Sequence, residues 1–193
     1  LPTGVSAIMN AAKLVNWITN KTETHQKQTP RDEDKMFVPP FTTLHVGQMS
    51  GGTASNITSK KCNFTMDIRC LPTDDGEALV KEYTAYAELI KEDMKKTRSE
   101  ADVLVSRHHW VPGLKPETNG EADNLVRKLT GNNSTSKVSY GTEAGQFQQA
   151  GYSSIICGPG SIEQAHQANE YLDKKQLKLG TDFIRNLILE LAN

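Results

Sequence analysis

The feature that most constrains this sequence is a pair of nine-residue segments in which apolar and polar residues alternate. They run from Phe41 to Met49 and from Asn63 to Leu71. In the second segment one face carries Phe64, Met66, Ile68 and Cys70, and the other carries Thr65, Asp67 and Arg69. Because successive side chains of a strand point to opposite sides, this alternation predicts two strands, each with one buried face. Gly51 and Gly52 predict the end of the first strand.

Helical patterns lie on both sides of the two predicted strands. The segment from Ser6 to Thr19 carries apolar residues on one helical face, namely Ile8, Ala11, Ala12, Val15 and Ile18. A second helix is predicted from Glu77 to Lys96, with Asp74 or Asp75 as its cap. Its apolar stripe consists of Leu79, Tyr83, Tyr86, Ile90 and Met94. Between them, the polar stretch from Asn20 to Lys35 predicts a loop, in which Asp32, Glu33 and Asp34 are expected to be solvated.

A further strand is predicted from Asp102 to Trp110, and Val103 and Val105 are apolar residues near its start. The order helix, strand, strand, helix, strand is typical of a ferredoxin-like α+β layout without its first strand. We expect a sheet that lacks a member to expose an unpaired edge.

A domain boundary is predicted near Val111–Pro116, so that residues 1–113 form one domain and residues 114–193 another. The second domain alternates helices (Gly120 to Thr130, Thr142 to Gln149, Asp173 to Leu191) with short strands (Ser136 to Tyr140, Ser153 to Cys157). In the last helix Leu177, Phe183, Ile184, Leu187, Ile188 and Leu191 are expected to face inward, and Asp173 with Gln176 predicts a capping box. This pattern indicates the end of an α/β domain whose beginning is not in the chain.

Composition excludes several classes of function. The formal net charge of the 193 residues is -1, and no basic stripe suited to nucleic acid is present. The apolar runs are too short to cross a bilayer, and we expect no signal peptide. The three cysteines, an odd number without paired spacing, predict free and mostly buried thiols in a reducing compartment. We therefore expect a cytoplasmic protein and discount glycosylation at its Asn-x-Ser/Thr triplets.

His166 is the residue that most directly indicates chemistry. It follows the predicted strand Ser153 to Cys157, and open α/β sheets bind ligands at the carboxyl ends of their strands. Imidazole is also the commonest protein ligand of zinc. Glu170 lies four residues on and is expected either to orient the imidazole ring or to bind a metal itself. The alternative is a histidine that serves only the loop.

A second candidate is the segment Gly141–Gly145, at another strand-to-helix turn. Thr142 and Glu143 lie where a helix begins, and free backbone N–H groups there attract an anion. The alternative is that Glu143 only stabilises the start of the helix.

Asn56 and Arg69 form the third candidate. Asn56 follows the glycine turn, and Arg69 lies on the polar face of the second strand. A guanidinium group can hold a substrate carboxylate through two hydrogen bonds, and an amide can support it. The alternative is a solvent-facing arginine paired with Asp67. His45 is interpreted as structural, and His108 with His109 cannot chelate one ion together because they face opposite sides of a strand.

Five segments, in order, resemble the metal-dependent family of amidohydrolases and carboxypeptidases that includes acetylornithine deacetylase, succinyl-diaminopimelate desuccinylase and aminoacylase. They are Thr42–Gly47, Gly51–Asn56 and Asp67–Pro72, which are similar to the family's lid, and Val138–Gly145 with Cys157–His166, which are similar to acetylornithine deacetylases in particular. The resemblance implies a ferredoxin-like lid, or dimerisation, domain followed by the C-terminal portion of an α/β zinc-peptidase-like catalytic domain. It extends over nearly the whole chain.

The resemblance also implies roles for single residues. His166 would bind one of two divalent metal ions, zinc or cobalt, and Asn56 and Arg69 would bind the substrate carboxylate when the lid closes. Thr142, Gly158 and Gly160 would line the substrate pocket, with Glu143 as the candidate catalytic residue. The expected substrate is an N-acyl amino acid, namely N-acetylornithine, and the expected partner is a second copy bound through the lid.

Several family features have no counterpart in this sequence. The chain contains no His-x-Asp and no Glu-Glu, the motifs that supply the family's other metal ligands and its general base. Asn169 also stands where an aspartate is common. We therefore expect the chain by itself to be inactive. The alternatives to an acetylornithine deacetylase are a desuccinylase, a carboxypeptidase and a non-catalytic dimerisation module.

Overall fold

The computed structural model describes residues 4–134, 136–138 and 140–192, and the chain divides into two compact units. The first unit comprises Leu1–Pro112 with Lys137–Tyr140, and the second comprises Gly113–Ser136 with Gly141–Asn193. The segment Lys137–Tyr140 thus groups with the first unit, although the sequence placed it in the second domain. No helix in the described ranges is long and apolar enough to cross a membrane.

The first helix, α1, extends over Ala7–Lys27, eight residues beyond the predicted end at Thr19. The loop predicted from Asn20 is therefore wrong as far as Lys27. Thr22 explains the extension, because its hydroxyl donates to the carbonyl of Leu44 at 2.9 Å and accepts from the same residue's N–H at 3.2 Å. The polar last turns of α1 are thus held by tertiary hydrogen bonds, which local propensity does not reveal.

Two strands follow α1 and form an antiparallel pair. Strand β1 is Thr43–Gly51 and β2 is Cys62–Arg69, both within two residues of their predicted bounds. Leu44 lies opposite Ile68 and Val46 opposite Met66, so that the apolar faces of both strands coincide. Exposure alternates along the whole of β2, which confirms the period-two pattern.

Helix α2, Gly76–Lys95, covers the apolar face of the strands together with α1. It begins as predicted, since the carboxylate of Asp75 accepts the N–H of Ala78 at 2.9 Å. The buried core formed by the two helices and β1 consists of Leu14, Ile18, Leu44, Leu79, Tyr83, Ala87, Ile90 and Met94. All of the buried apolar side chains found among the described residues lie in the first unit.

The strand predicted from Asp102 to Trp110 does not form in the structure. The segment is held by side chains instead. Arg107 donates to Glu77 at 2.6 Å, and the Trp110 ring lies so close to Gly76 that a Cβ there would be 2.4 Å from the ring. A strand requires a neighbour for its backbone hydrogen bonds, and β2 pairs with β1 alone within the described ranges. Of the predicted ferredoxin-like pattern, the described residues therefore form two helices and two strands.

The loop between α1 and β1 is anchored by a buried carboxylate, which corrects the prediction that Asp34 is solvated. Asp34 is 1% exposed, accepts from Arg31 Nε at 2.6 Å and from the Thr73 hydroxyl at 2.8 Å. Thr42, also 1% exposed, donates to Asp74 and accepts the N–H of Leu71 at 2.9 Å. The sequence pattern could not separate Asp34 from its solvated neighbours because one of its two partners, Thr73, lies elsewhere in the chain.

Among its described residues, the second unit contains three helices: α3 (Glu121–Thr130), α4 (Ala144–Gln149) and α5 (Lys174–Leu191). Helix α4 ends just before Gly151, whose φ of 92° only glycine adopts readily. The predicted strand Ser153 to Cys157 is absent. The predicted strand Ser136 to Tyr140 is also not formed, although Ser139 lies outside the described residues.

Helix α5 differs from its prediction in two respects. Asp173 caps it by accepting the N–H of Lys175 at 2.7 Å, but Gln176 bonds to the N–H of Gly160, so the capping box is only half formed. None of its side chains is buried, although six were expected to face inward. The exposed ones are Leu177, Ile184, Ile188 and Leu191, with exposures from 53% to 72%. The apolar stripe is real, but the described residues do not cover it.

Asp34 allows a test of the first unit's stability. Burial opposes its charge, but the hydrogen bonds from Arg31 and Thr73 outweigh burial and hold its pKa below the ordinary value. A carboxyl pKa that is lower in the folded state stabilises the fold above the unfolded pKa of about 4, and this stabilisation is lost as pH falls through the folded value.

We expect Asp34→Asn to lower the free energy of unfolding by about 1–3 kcal/mol at neutral pH. The difference from the wild type should shrink below about pH 4, because the wild type then loses its charge as well. Urea denaturation across this pH range measures both effects. Asp32→Asn is the matched control, since the Asp32 side chain is 95% exposed. Equal effects of the two substitutions would contradict the assignment.

Candidate functional site

In the first unit, Arg69 lies at the end of β2 on the face of the sheet that points away from the helices. Its side chain is 73% exposed, and its Nε donates to Asp67 Oδ2 at 3.0 Å. Across the sheet, Thr43 is the partner of Arg69 and His45 is the partner of Asp67. The ion pair that the sequence offered as an alternative is thus formed, and the guanidinium still faces solvent.

Asn56 lies in the loop that joins β1 to β2. A turn closes there, with the N–H of Ile57 donating to the carbonyl of Ala54 at 3.2 Å, and Asn56 itself is exposed. Ser59 fixes the loop to the start of α1, because its hydroxyl accepts the N–H of Ile8 at 2.9 Å. Asn56 and Arg69 therefore belong to one unit, but no hydrogen bond joins them among the described residues.

In the second unit, Thr142 and Glu143 immediately precede α4. Thr142 is half-buried and its hydroxyl accepts the N–H of Ala144 at 3.3 Å. Glu143 is exposed and makes no side-chain hydrogen bond to cap the helix. Glu143 therefore does not stabilise the start of α4 through a capping hydrogen bond.

Gly158 and Gly160 lie in the loop that leads to His166. A Cβ on Gly158 would meet no atom within 4 Å, so this position opens to free space. Gly160 has a φ of 95°, a conformation that other residues resist, and its N–H donates to Gln176 at 3.3 Å. The start of α5 thus fixes the backbone at Gly160.

His166 is exposed and has a φ of 59°, the left-handed region that is uncommon for residues with a side chain. Its backbone N–H donates to Glu170 Oε2 at 3.1 Å. The expectation that Glu170 orients the imidazole ring is therefore not met in the structure, because the carboxylate bonds to the backbone instead. This hydrogen bond holds the Glu170 carboxylate against the backbone of His166 within one loop.

The residues described do not by themselves fit a catalytic metal. In the described ranges no three His, Cys, Asp or Glu side chains come together. A catalytic zinc ion needs three protein ligands, and His166 with Glu170 offers two at most. Any metal bound at His166 needs ligands from outside these residues.

The three cysteines are free, as predicted, but they are less buried than expected. Cys62 and Cys70 are half-buried and Cys157 is exposed. Burial raises the pKa of the Cys70 thiol, with a smaller contribution from the charge of Asp74. A raised pKa disfavours the thiolate, so Cys70 is not a candidate nucleophile.

A further carboxylate, Glu117, was not singled out from the sequence. It accepts from the Ser153 hydroxyl at 2.5 Å, from Gln148 at 3.0 Å and from the N–H of Ser154 at 3.1 Å. These hydrogen bonds, with that from Ser153 first, lower the pKa of Glu117. Because all the bonds are internal to the second unit, Glu117 is a structural residue that joins the loop before α3 to the chain after α4.

Comparison with known proteins identifies the first unit. Residues 2–95 match the family model described as a peptidase dimerisation domain. The first unit therefore carries this dimerisation domain. An acetylornithine deacetylase of Myxococcus xanthus is 30% identical over 91% of the chain, and one of Proteus mirabilis is 31% identical over 93%. These matches confirm the resemblance that the sequence motifs indicated.

Solved structures agree on the fold. A tripeptidase from Staphylococcus aureus matches 93% of the chain with a TM-score of 0.60, and an aminopeptidase from Bacillus cereus matches 98% with a TM-score of 0.57. Both are 21% identical in sequence, so the likeness concerns the fold alone. The chain spans less than half of each relative: 44% and 45% of the two deacetylases, and 44% and 46% of the two peptidases.

His166 allows the structural and functional alternatives to be separated. No hydrogen bond to its ring is found among the described residues, and its positive φ suits glycine better than histidine. We expect His166→Gly to leave the free energy of unfolding unchanged or to raise it by up to about 1 kcal/mol. His166→Val, which resists the same φ, should lower it.

Chemical denaturation of the three proteins measures this difference. A loss of more than about 1 kcal/mol in the glycine variant would favour the alternative in which the imidazole merely supports the loop.

Proposed function

We propose that this chain contributes to a metal-dependent hydrolase that cleaves the amide bond of an N-acyl amino acid, with N-acetylornithine giving ornithine and acetate. The observation that carries this proposal is the similarity to acetylornithine deacetylases over more than nine-tenths of the chain. The exposed guanidinium of Arg69 supports it, because a group free to bind a carboxylate is what an amino acid substrate requires.

Within this proposal, residues 1–113 form the lid, or dimerisation, domain and residues 114–193 form the C-terminal part of the catalytic domain. Arg69 binds the α-carboxylate of the substrate and Asn56 supports it. Thr142, Gly158 and Gly160 line the pocket, and Glu143 is the candidate catalytic carboxylate. A side chain at Gly158 would meet open space, and Glu143 makes no side-chain hydrogen bond that caps α4. Both observations are compatible with these roles.

A complete metal site would need ligands other than the residues that the structure describes. His166 is the proposed ligand from this chain for one of two divalent ions, zinc or cobalt. The other ligands would have to come from the part of the protein that corresponds to the remaining half of its relatives. On this basis the chain by itself should bind metal weakly and should not catalyse the reaction.

Hydrolysis assays test the proposed function. The purified 193-residue chain with added zinc or cobalt should not hydrolyse N-acetylornithine, whereas the complete gene product should. In the complete protein, Arg69→Ala should raise KM about ten- to a hundredfold, because a charge-assisted hydrogen bond to the carboxylate is lost. Rapid turnover by the 193-residue chain alone would contradict the proposal that the other metal ligands lie outside it.

The choice of substrate separates the alternatives within the enzyme class. N-succinyl-diaminopimelate and a tripeptide are assayed beside N-acetylornithine. Faster hydrolysis of the tripeptide would favour the peptidase activity named for the two structural relatives. Preference for the succinylated substrate would favour a desuccinylase.

We also propose that the protein forms a homodimer through the free edge of β1. The matching family model is a dimerisation domain and includes this strand. Natural proteins commonly protect a free edge with lysine, other charged residues or proline, yet the nine residues of β1 contain no Lys, Arg, Asp, Glu or Pro. Its one irregularity is a bulge beside Gly47. Leu44, near the start of β1, already bonds to Thr22 through both of its backbone groups, so a second copy would pair with the part of β1 that follows Leu44.

Lysine substitutions test this interface. Gln48→Lys combined with Ser50→Lys places like charges on both strands of the proposed pair and should raise the dimer dissociation constant about tenfold or more. Thr65→Lys, at the β2 position opposite Gln48, is the matched control and should leave the dimer intact. Sedimentation of the 193-residue chain gives both constants. Equal dissociation in the control would rule out β1 as the edge that pairs.

A further inference from the structure

Asp67 lies beside Arg69 and His45 on the exposed face of the sheet. It precedes Arg69 by two residues on β2, so both point to the same side, and His45 is its cross-strand partner on β1. Its Oδ2 accepts from Arg69 Nε at 3.0 Å. This is the one hydrogen bond to the Arg69 guanidinium found among the described residues.

The hydrogen bond uses a particular part of the guanidinium. Arginine has five N–H donors in a planar fork: one at Nε and two at each terminal nitrogen. Because Asp67 occupies Nε, the two terminal nitrogens, Nη1 and Nη2, remain free to bind a carboxylate end-on through two parallel bonds. We propose that Asp67 is a positioning residue that orients Arg69 for this binding of the substrate carboxylate. The inference rests on the proposed function.

The positioning matters because Arg69 is otherwise unrestrained. Its side chain is 73% exposed, and immobilising a long, free side chain on binding has an entropic cost. Asp67 meets part of this cost before the substrate arrives. An exposed ion pair of this kind contributes little to folding stability, so its effect is expected in binding rather than in unfolding.

Asp67 has a second effect of opposite sign, which makes the inference testable. Its negative charge repels a substrate carboxylate bound nearby. If Asp67 acted by charge alone, its removal would strengthen carboxylate binding. If it positions Arg69, removal of the side chain weakens binding, whereas asparagine still offers an oxygen to Nε without the repelling charge.

The experiment is a titration of the ¹⁵N-labelled 193-residue chain with N-acetylornithine, followed by the NMR signal of the Arg69 Nε–Hε group. Asp67→Ala should weaken binding about three- to tenfold, and Asp67→Asn should bind as tightly as the wild type or more tightly. Thr65→Ala, on the same face of β2, is the matched control and should not change binding. The α-carboxamide analogue of the ligand should bind the wild type and Asp67→Ala equally.

Relaxation of the same Nε–Hε group without ligand measures the ordering directly. The group should be ordered in the wild type and in Asp67→Asn, and mobile in Asp67→Ala. Equal order in all three proteins overturns the inference, as does unchanged or tighter binding by Asp67→Ala.

Arg69→Ala distinguishes this failure from a failure of the proposed function. Because this variant lacks the Nε–Hε group, its binding is followed by the backbone amide signals of β2, which are recorded for the wild type as well. If Arg69→Ala abolishes binding while Asp67→Ala does not weaken it, the positioning role is wrong and the carboxylate anchor stands. If Arg69→Ala binds like the wild type, or the wild type shows no carboxylate-dependent shift, both the anchor and the positioning role are wrong.

Discussion

The packing of two helices against one face of a two-stranded sheet is the interaction on which the first unit depends. Leu14 and Ile18 of α1 and the buried stripe of α2 from Leu79 to Met94 meet the apolar side of β1 and β2. Because side chains alternate along a strand, burial of this face sends Asp67 and Arg69 to the opposite one. The hydrophobic contacts thus determine on which face of the sheet the guanidinium of Arg69 lies.

Buried polar groups complete this arrangement at the ends of the strands. Thr42, just before β1, bonds to the backbone of Leu71, just after β2, and Asp34 joins the loop after α1 to Thr73. Each of these groups would be costly to bury without its partner. They therefore fix the loop connections with a specificity that apolar packing does not provide.

The second unit has a different physical character. Helix α5 carries an apolar stripe, yet no apolar side chain of α3, α4 or α5 is buried within the described residues. The unit is organised instead by polar contacts such as those of Glu117 and by glycines in left-handed conformations. The candidate pocket residues lie in its loops, so their proposed roles depend on surroundings that the chain does not supply.

The sequence alone determined both strands, the positions of all five helices to within a turn at most ends, the Asp75 cap and the exposed placement of Arg69. These features follow from local periodicity and from side chains that bond to their own backbone neighbours. Tertiary structure alone decided the last two turns of α1 and the burial of Asp34. It also decided that the segments after Asp102 and Ser153 are not strands, and that α5 remains uncovered. A strand needs a neighbour and an apolar stripe needs a partner surface, and neither can be read from the residues of the segment itself.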